Sequence, residues 1–386
     1  MHGMDQFREI RPYLDHEIRP VLDSLLDNQE FIDSIARFSH PRLTRLLPPL
    51  VHGLARRQLA TQLKDVHNVA TMQDVIAVYM DKMIRKTATQ LTNSGLDKLS
   101  QDKTYLFISN HRDIAMDPAF VNYMLYHAGF DTLQIAIGDN LLKKPFVTDL
   151  MRLNKSFIVR RSLKGRELLK ALDLLSQYIH YCIAQQQNVW IAQREGRAKD
   201  GVDQTDPALI KMLSRGNREL SLGQSIASLH VVPVAISYEY DACDLLKSEE
   251  LSQIEHHGKF VKTDASDIHS IVTGITGFKG HVHVAFGEEL VAPVSDDPEE
   301  IARLIDDQIT QLYLLQDSNF LALEALRQRQ LVEIPPLSSE VEAREIRQSN
   351  RQMFQQRLER VAPPLQKYFL SMYANPVITR YRRPAS

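Results

Sequence analysis

Residues 110–120, NHRDIAMDPAF, put one imidazole, His111, and two carboxylates, Asp113 and Asp117, into a single turn. The turn follows TYLFIS (104–109), an aromatic and branched run that reads as a buried strand, and leads into AFVNYMLYHAGF, which reads as a helix. Open α/β sheets carry their chemistry at such strand ends. A histidine there takes a proton near neutral pH, and a carboxylate on its other ring nitrogen fixes the tautomer. By itself the cluster has a plainer reading, with Asp117 capping a helix that starts at Pro118. Its meaning depends on the charges elsewhere in the chain.

Two later stretches supply positive charge. From Arg152 to Lys170 there are seven bases and one acid, Glu167, and Arg160 and Arg161 come directly off the apolar run Phe157-Ile158-Val159. At least one of the two should point into a cleft over the sheet, where a guanidinium suits a phosphate because its fork stays charged and offers paired donors. Residues 189–201, VWIAQREGRAKDG, begin as a strand and become a polar loop bearing Arg194, Glu195, Gly196, Arg197 and Lys199. Gly196 would let backbone amides approach a ligand closely.

The elements that must position these residues follow from periodicity. Residues 1–100 show helical spacing and no convincing strand, and residues 40–63 mix leucines with Arg42, Arg45, Arg56 and Arg57 around Pro48 and Pro49. Such a stretch suits either a packed helical hairpin with solvated arginines or contact with an anionic membrane surface. From 101 to 300, apolar runs at 104–109, 133–137, 156–159, 188–192, 229–236 and 282–286 alternate with helical stretches, the clearest being 165–185. Alternation of this kind predicts an α/β fold with a mixed, partly parallel sheet flanked by helices. Pro233 in the 229–236 run predicts an edge strand or a strand end. From 301 to 386 helices are expected at 301–331 and 340–358, followed by a frayed basic tail with Arg380, Arg382 and Arg383. The expected organisation is a helical N-terminal region (1–100), an α/β region (101–300) and a helical C-terminal region (301–386).

A chain of 386 residues with a formal net charge of −2 has no global basic field, so nucleic acid is not expected as a partner and an anionic ligand must be held locally. Two cysteines, Cys182 and Cys243, make no disulfide framework and imply a reducing compartment. No apolar run is long enough to span a bilayer and the amino terminus lacks a signal-peptide pattern, which predicts a cytoplasmic chain, at most peripheral on the inner face of the membrane. His256-His257 and His281-x-His283 lack companions at metal-ligand spacing, so no metal site is expected.

NHRDIAMD, FIVRRS, WIAQREGRAK and VVPVAIS, in that order over residues 100–290, resemble the four blocks of the glycerolipid acyltransferase superfamily, which includes glycerol-3-phosphate and 1-acylglycerol-3-phosphate acyltransferases. NYMLYHAGF and IGDNLLKKP look like the glycerol-3-phosphate branch. The resemblance implies an O-acyltransferase of phospholipid biosynthesis with His111 as general base and Asp117, seconded by Asp113, as its orienter. It implies that Arg160, Arg161 and Arg197, with Lys199 and Arg194, hold the substrate phosphate, and that Glu195 and Gly196 are also among the substrate-binding residues. The co-substrates would be an acyl-CoA or acyl carrier protein thioester and a glycerol phosphate, with no other cofactor. Five residues separate His111 from Asp117 where the family has four. Either the turn bulges or Asp113 shares the orienting role. Other classes remain in view: a hydrolase using Ser109 or a cysteine, although no Gly-x-Ser-x-Gly elbow is present, and a non-catalytic lipid-binding protein.

Overall fold

The computed structural model describes residues 2–39, 41–261, 263–338, 341 and 345–382. Seven strands form one sheet: β1 (Ala88–Ser94), β2 (Leu106–Ser109), β3 (Gln134–Gly138), β4 (Ser156–Val159), β5 (Val189–Ala192), β6 (Val231–Tyr238) and β7 (Gly280–Phe286). Their spatial order is β1-β7-β6-β2-β5-β3-β4. Strands β2 to β6 are mutually parallel, while β7 runs antiparallel to β6 and parallel to β1. The fold is therefore α/β with a mixed, mostly parallel sheet.

Alternation along the central strands divides the core. Leu106, Ile108, Val189, Ile191, Val231 and Ala235 face one layer, which also holds Phe7, the 165–184 helix and the C-terminal helices. Phe107, Trp190, Val232, Val234 and Ile236 face the other, filled by Phe120, Val121 and Leu125 of helix Met116–His127. A third cluster joins the N-terminal helices, through Ile18, Leu22, Leu25 and Phe31, to Phe146 and Leu153 of helix Pro145–Leu153, the connection between β3 and β4.

Several sequence expectations need correction. Residues 88–94, ATQLTNS, form β1 although no strand was expected before residue 100; the strand lies at the sheet edge and is mostly open to solvent, so it lacks the apolar run that marks the others. Pro233 lies in central β6, between β2 and β7, and not in an edge strand. It is tolerated because β7 pairing ends at Val234–Phe286, and beyond that only the connection passes, where the Gly287 amide donates to the Pro233 carbonyl. The expected 301–331 helix is two, Pro298–Leu312 and Asp317–Arg329, broken where the Leu314 amide donates to Ser237 Oγ over the end of β6. The helix expected from 340 begins at Gln348. The tail is not frayed at Arg380: helix Gln366–Tyr381 buries Phe369, Leu370 and Tyr373, and Arg380 caps the Thr310 carbonyl. His40, Glu340, Arg383 and the Arg42 side chain lie outside the described residues.

Candidate active site

The chain leaves β2 at Ser109 and turns before helix Met116–His127. Asn110 fixes the departure point. Its amide nitrogen donates to the Ile236 carbonyl at 3.1 Å and its oxygen accepts from the Ile236 amide at 2.7 Å, tying the turn to β6. Arg112, buried beneath the turn, donates to Asp203 at 2.7 Å and to the Gly201 carbonyl at 3.1 Å, and lies over the Tyr313 ring. Burial opposes its charge, but Asp203 holds it protonated, above the ordinary arginine range.

His111 Nδ1 lies 2.9 Å from Asp117 Oδ2, and its ring stands edge-on to Trp190 with centroids 6.0 Å apart. Asp117 is fully buried. Its Oδ2 also accepts from the Arg112 amide at 2.6 Å and the Asp113 amide at 2.9 Å, and its Oδ1 accepts from Tyr238 Oη at 2.7 Å. Four donors stabilise the carboxylate and leave it one orientation. The extra residue between His111 and Asp117 is taken up in the turn, whose successive amides converge on one oxygen. Asp113 does not reach the imidazole. Its Oδ1 accepts from the Ala115 and Met116 amides, so it caps the helix, and Asp117 sits inside the first turn and is not the cap. Burial, then the neighbouring Asp117 charge, push the Asp113 carboxyl above its ordinary range. Its other oxygen packs so tightly that a Cβ on Gly274 would stand 2.1 Å from it. Tyr238, which no sequence signal singled out, is held well above the usual phenol range by burial and by Asp117.

The other face of the imidazole opens on a cleft lined by Ile114, Gly138, Asn140, Leu141, Trp190, Gly196, Arg161, Arg197, Lys199 and Asp267. Two of the strand-end and loop arginines converge here. Arg161 folds across Gly138, its Nη1 lying 3.4 Å from where a Cβ would stand, and it pairs loosely with exposed Glu195 at 3.6 Å. Arg197 Nη2 donates to Ser270 Oγ at 3.4 Å, and its buried Nη1 has no hydrogen-bond partner among the described residues. Lys199 pairs with buried Glu250 at 2.9 Å. The loop is tied to the imidazole's own residue, because the Ala198 amide donates to the His111 carbonyl at 2.7 Å. Gly196 has a φ of 76° and open space beside its α-carbon, a conformation glycine adopts without strain.

Two candidates fall elsewhere. Arg160 turns out of the cleft to pair with Glu9, and Arg194 donates to the Val202 carbonyl within its own loop. Successive residues at a strand end point to opposite sides, so only one arginine of the pair can face the cleft. None of the suggested protein nucleophiles is poised to attack, and Cys243, like Cys182, is buried. Ser109 Oγ is buried between the Asn110 carbonyl and Trp190 Nε1, and burial pushes the Cys182 thiol up to about 12. The paired histidines His281 and His283 face Thr92 and Ser94 of β1.

Residues 90–237 match the family model described as Acyltransferase. Among curated proteins, the chain is 29% identical over 181 residues to a glycerol-3-phosphate acyltransferase of Xanthomonas axonopodis pv. citri, covering 43% of this chain and 20% of that one. It is 26% identical over 198 residues to a glycerol-3-phosphate acyltransferase of Pseudomonas fluorescens, covering 51% and 22%. The chain thus spans about a fifth of the length of the curated relatives it matches. Among solved structures, the 1-acyl-sn-glycerophosphate (LPA) acyltransferase PlsC from Thermotoga maritima aligns at 12% identity and a TM-score of 0.34, covering 67% of this chain and 82% of that one. The matched segment begins in β1, ends in β6 and contains the His111 turn and the basic loop between them, so that this part of the chain is similar to the Acyltransferase family.

Proposed function

We propose that the protein transfers a fatty acyl group from an acyl-CoA or acyl carrier protein thioester to a hydroxyl of glycerol-3-phosphate. The observation that carries this reading is the convergence of the His111–Asp117 pair with Arg161, Arg197 and Lys199 on one cleft. An alcohol is a poor nucleophile at neutral pH. With Nδ1 held by Asp117, His111 Nε2 takes the hydroxyl proton as the oxygen attacks the thioester carbonyl. Collapse of the tetrahedral intermediate breaks the carbon–sulfur bond, and the imidazolium returns its proton to the leaving thiolate. Asp117 stabilises the imidazolium as it forms. Holding the phosphate on the arginines brings the hydroxyl to the base, so remote binding lowers the barrier to reaction. The substrate's own hydroxyl replaces a protein nucleophile, and no cofactor beyond the thioester takes part. The names of the curated relatives favour glycerol-3-phosphate over its 1-acyl derivative as acceptor.

The product is a lipid, and the N-terminal helices carry a surface suited to delivering it. Leu43, Leu47, Leu50 and Leu54 are half or more exposed, four, three and four residues apart, and residues 40–63 contain four arginines and no acid. Among the described residues no helix is long and apolar enough to cross a membrane. We place the protein in the cytoplasm in peripheral contact with anionic lipid through this surface.

The test is release of free thiol from acyl-CoA or acyl carrier protein by the purified protein. Release that depends on glycerol-3-phosphate supports the proposal. Release only with the 1-acyl acceptor moves the activity to that substrate, acceptor-independent release indicates a hydrolase, and no release with any acceptor indicates a binding protein.

A further inference from the structure

The loop that carries Arg197 and Lys199 is seated on parts of the chain beyond residue 237, where the family match ends. The direct contact is with helix Gln366–Tyr381. Asn375 Nδ2 donates to the Asp200 carbonyl at 2.7 Å, one residue after Lys199. Gly201 follows with a φ of 82°, and a Cβ there would stand 2.0 Å from the Met372 carbonyl oxygen, so the loop backbone lies against that helix.

A second route reaches Lys199 from the other side. Its partner Glu250 sits on helix Asp244–His257. The first turn of that helix is gripped by the C-terminal helices: Arg357 Nε donates to Asp244 at 2.5 Å and Arg357 Nη2 to the Asp241 carbonyl at 2.9 Å. Tyr373 Oη donates to Asp244 at 2.8 Å and accepts from the Asp241 amide at 2.9 Å. Lys247, fully buried in the same helix, completes the grip by pairing with Asp241. Both routes converge on a three-residue span, and both end in helix Gln366–Tyr381.

We infer that helix Gln366–Tyr381 sets the position of the anion-binding loop, with Asn375 and Tyr373 as positioning residues for Arg197 and Lys199. The inference rests on the proposed phosphate role of those two cations. It makes the C-terminal region a part of the site's architecture, although none of its described residues lines the cleft. A hydrogen bond that only holds a loop in place affects the ligand the loop binds and leaves the rest of the reaction alone.

The full chain provides its own reporter, because its single tryptophan, Trp190, lines the cleft beside His111. Inorganic phosphate is titrated against Trp190 fluorescence in the unaltered protein, in Asn375→Ala and in Tyr373→Phe. Steady-state constants are measured separately for glycerol-3-phosphate and for the acyl thioester. Loss of one seating bond should weaken phosphate binding roughly fivefold and raise the KM for glycerol-3-phosphate by a similar factor. The KM for the thioester should stay unchanged. Unchanged phosphate binding in both variants would overturn the inference, as would a parallel rise in both KM values, which marks general loosening. Should Tyr373→Phe unfold the protein, Asn375→Ala decides alone, since Asn375 is only part-buried. Absence of any phosphate response in the unaltered protein would overturn the proposed phosphate site and the inference with it. A response that the variants leave intact would overturn the inference alone.

Discussion

Asp117 is sealed from solvent and accepts four hydrogen bonds, while Arg197, on the same cleft, keeps a buried guanidinium nitrogen with no partner among the described residues. The two sides of the cleft are prepared differently. On the His111 side the polar contacts are already complete, so the ring is oriented before any ligand arrives, as the proposed proton transfer requires. On the basic side, donors are left incompletely used, with Arg161 joined among the described residues only to an exposed carboxylate at 3.6 Å. An unused buried donor costs stability in the free protein and is recovered when an anion supplies the acceptor. The contrast fits a base that must not move and a cradle that must receive.

His111→Ala gives the largest predicted effect. Turnover should fall on the order of 10³- to 10⁴-fold with a stability loss of no more than about 1 kcal/mol from the one donor Asp117 loses, measured by thiol release and thermal melting. A large loss of stability would show that the ring is structural. Asp117→Asn should cost about 10²- to 10³-fold in kcat and, unlike the histidine change, roughly 1–3 kcal/mol in stability, because one amide cannot satisfy four donors. A catalytic loss without a stability loss would break the picture of a pre-set turn.

On the basic side, Arg197→Ala should raise the KM for the acceptor and lower kcat together, about 10- to 100-fold in kcat/KM, measured with the acceptor varied at saturating thioester. Arg160→Ala, one residue from Arg161 but paired with Glu9 outside the cleft, should change kcat/KM by no more than about twofold. Equal effects of the two substitutions would erase the distinction between facing and non-facing cations.

The smallest effect concerns Asp113. Its carboxyl is raised in the folded state, so the stability it contributes is full below the unfolded value of about 3.9 and is lost as pH rises through the folded value. Asp113→Asn keeps the acceptor for the Ala115 and Met116 amides and removes the titration. Melting curves from pH 3.5 upward should therefore decline less steeply in the variant, with kcat changed by less than about threefold.

The strands of the central sheet were legible because each is a short apolar run on a chain that otherwise alternates with helices. Strand β1 was not, since ATQLTNS sits at an edge where few residues face a core. The reach of His111 toward Asp117 could be read from their proximity in sequence. The division of labour between the two aspartates could not, because it depends on which oxygen the turn amides converge upon. Arg161 and Arg160 were indistinguishable for a like reason: the phase of the strand's alternation, not residue type, decides which of two neighbours faces inward. Tyr238 and the C-terminal seating lie 121 and more residues from the groups they hold, beyond the reach of any local pattern. The break after Leu312 did leave a trace, as the Asn319 side-chain oxygen accepts from the Gln316 amide at a fresh helix start.

Asn110 imitates a peptide unit: its amide gives and takes one hydrogen bond each with Ile236, as a further residue of strand would. The chain can thus leave the sheet one step early without releasing the neighbouring strand. The height of the imidazole above the sheet is consequently set by the fixed pitch between two backbones, and a shorter or longer side chain at position 110 would mistune the histidine without touching it.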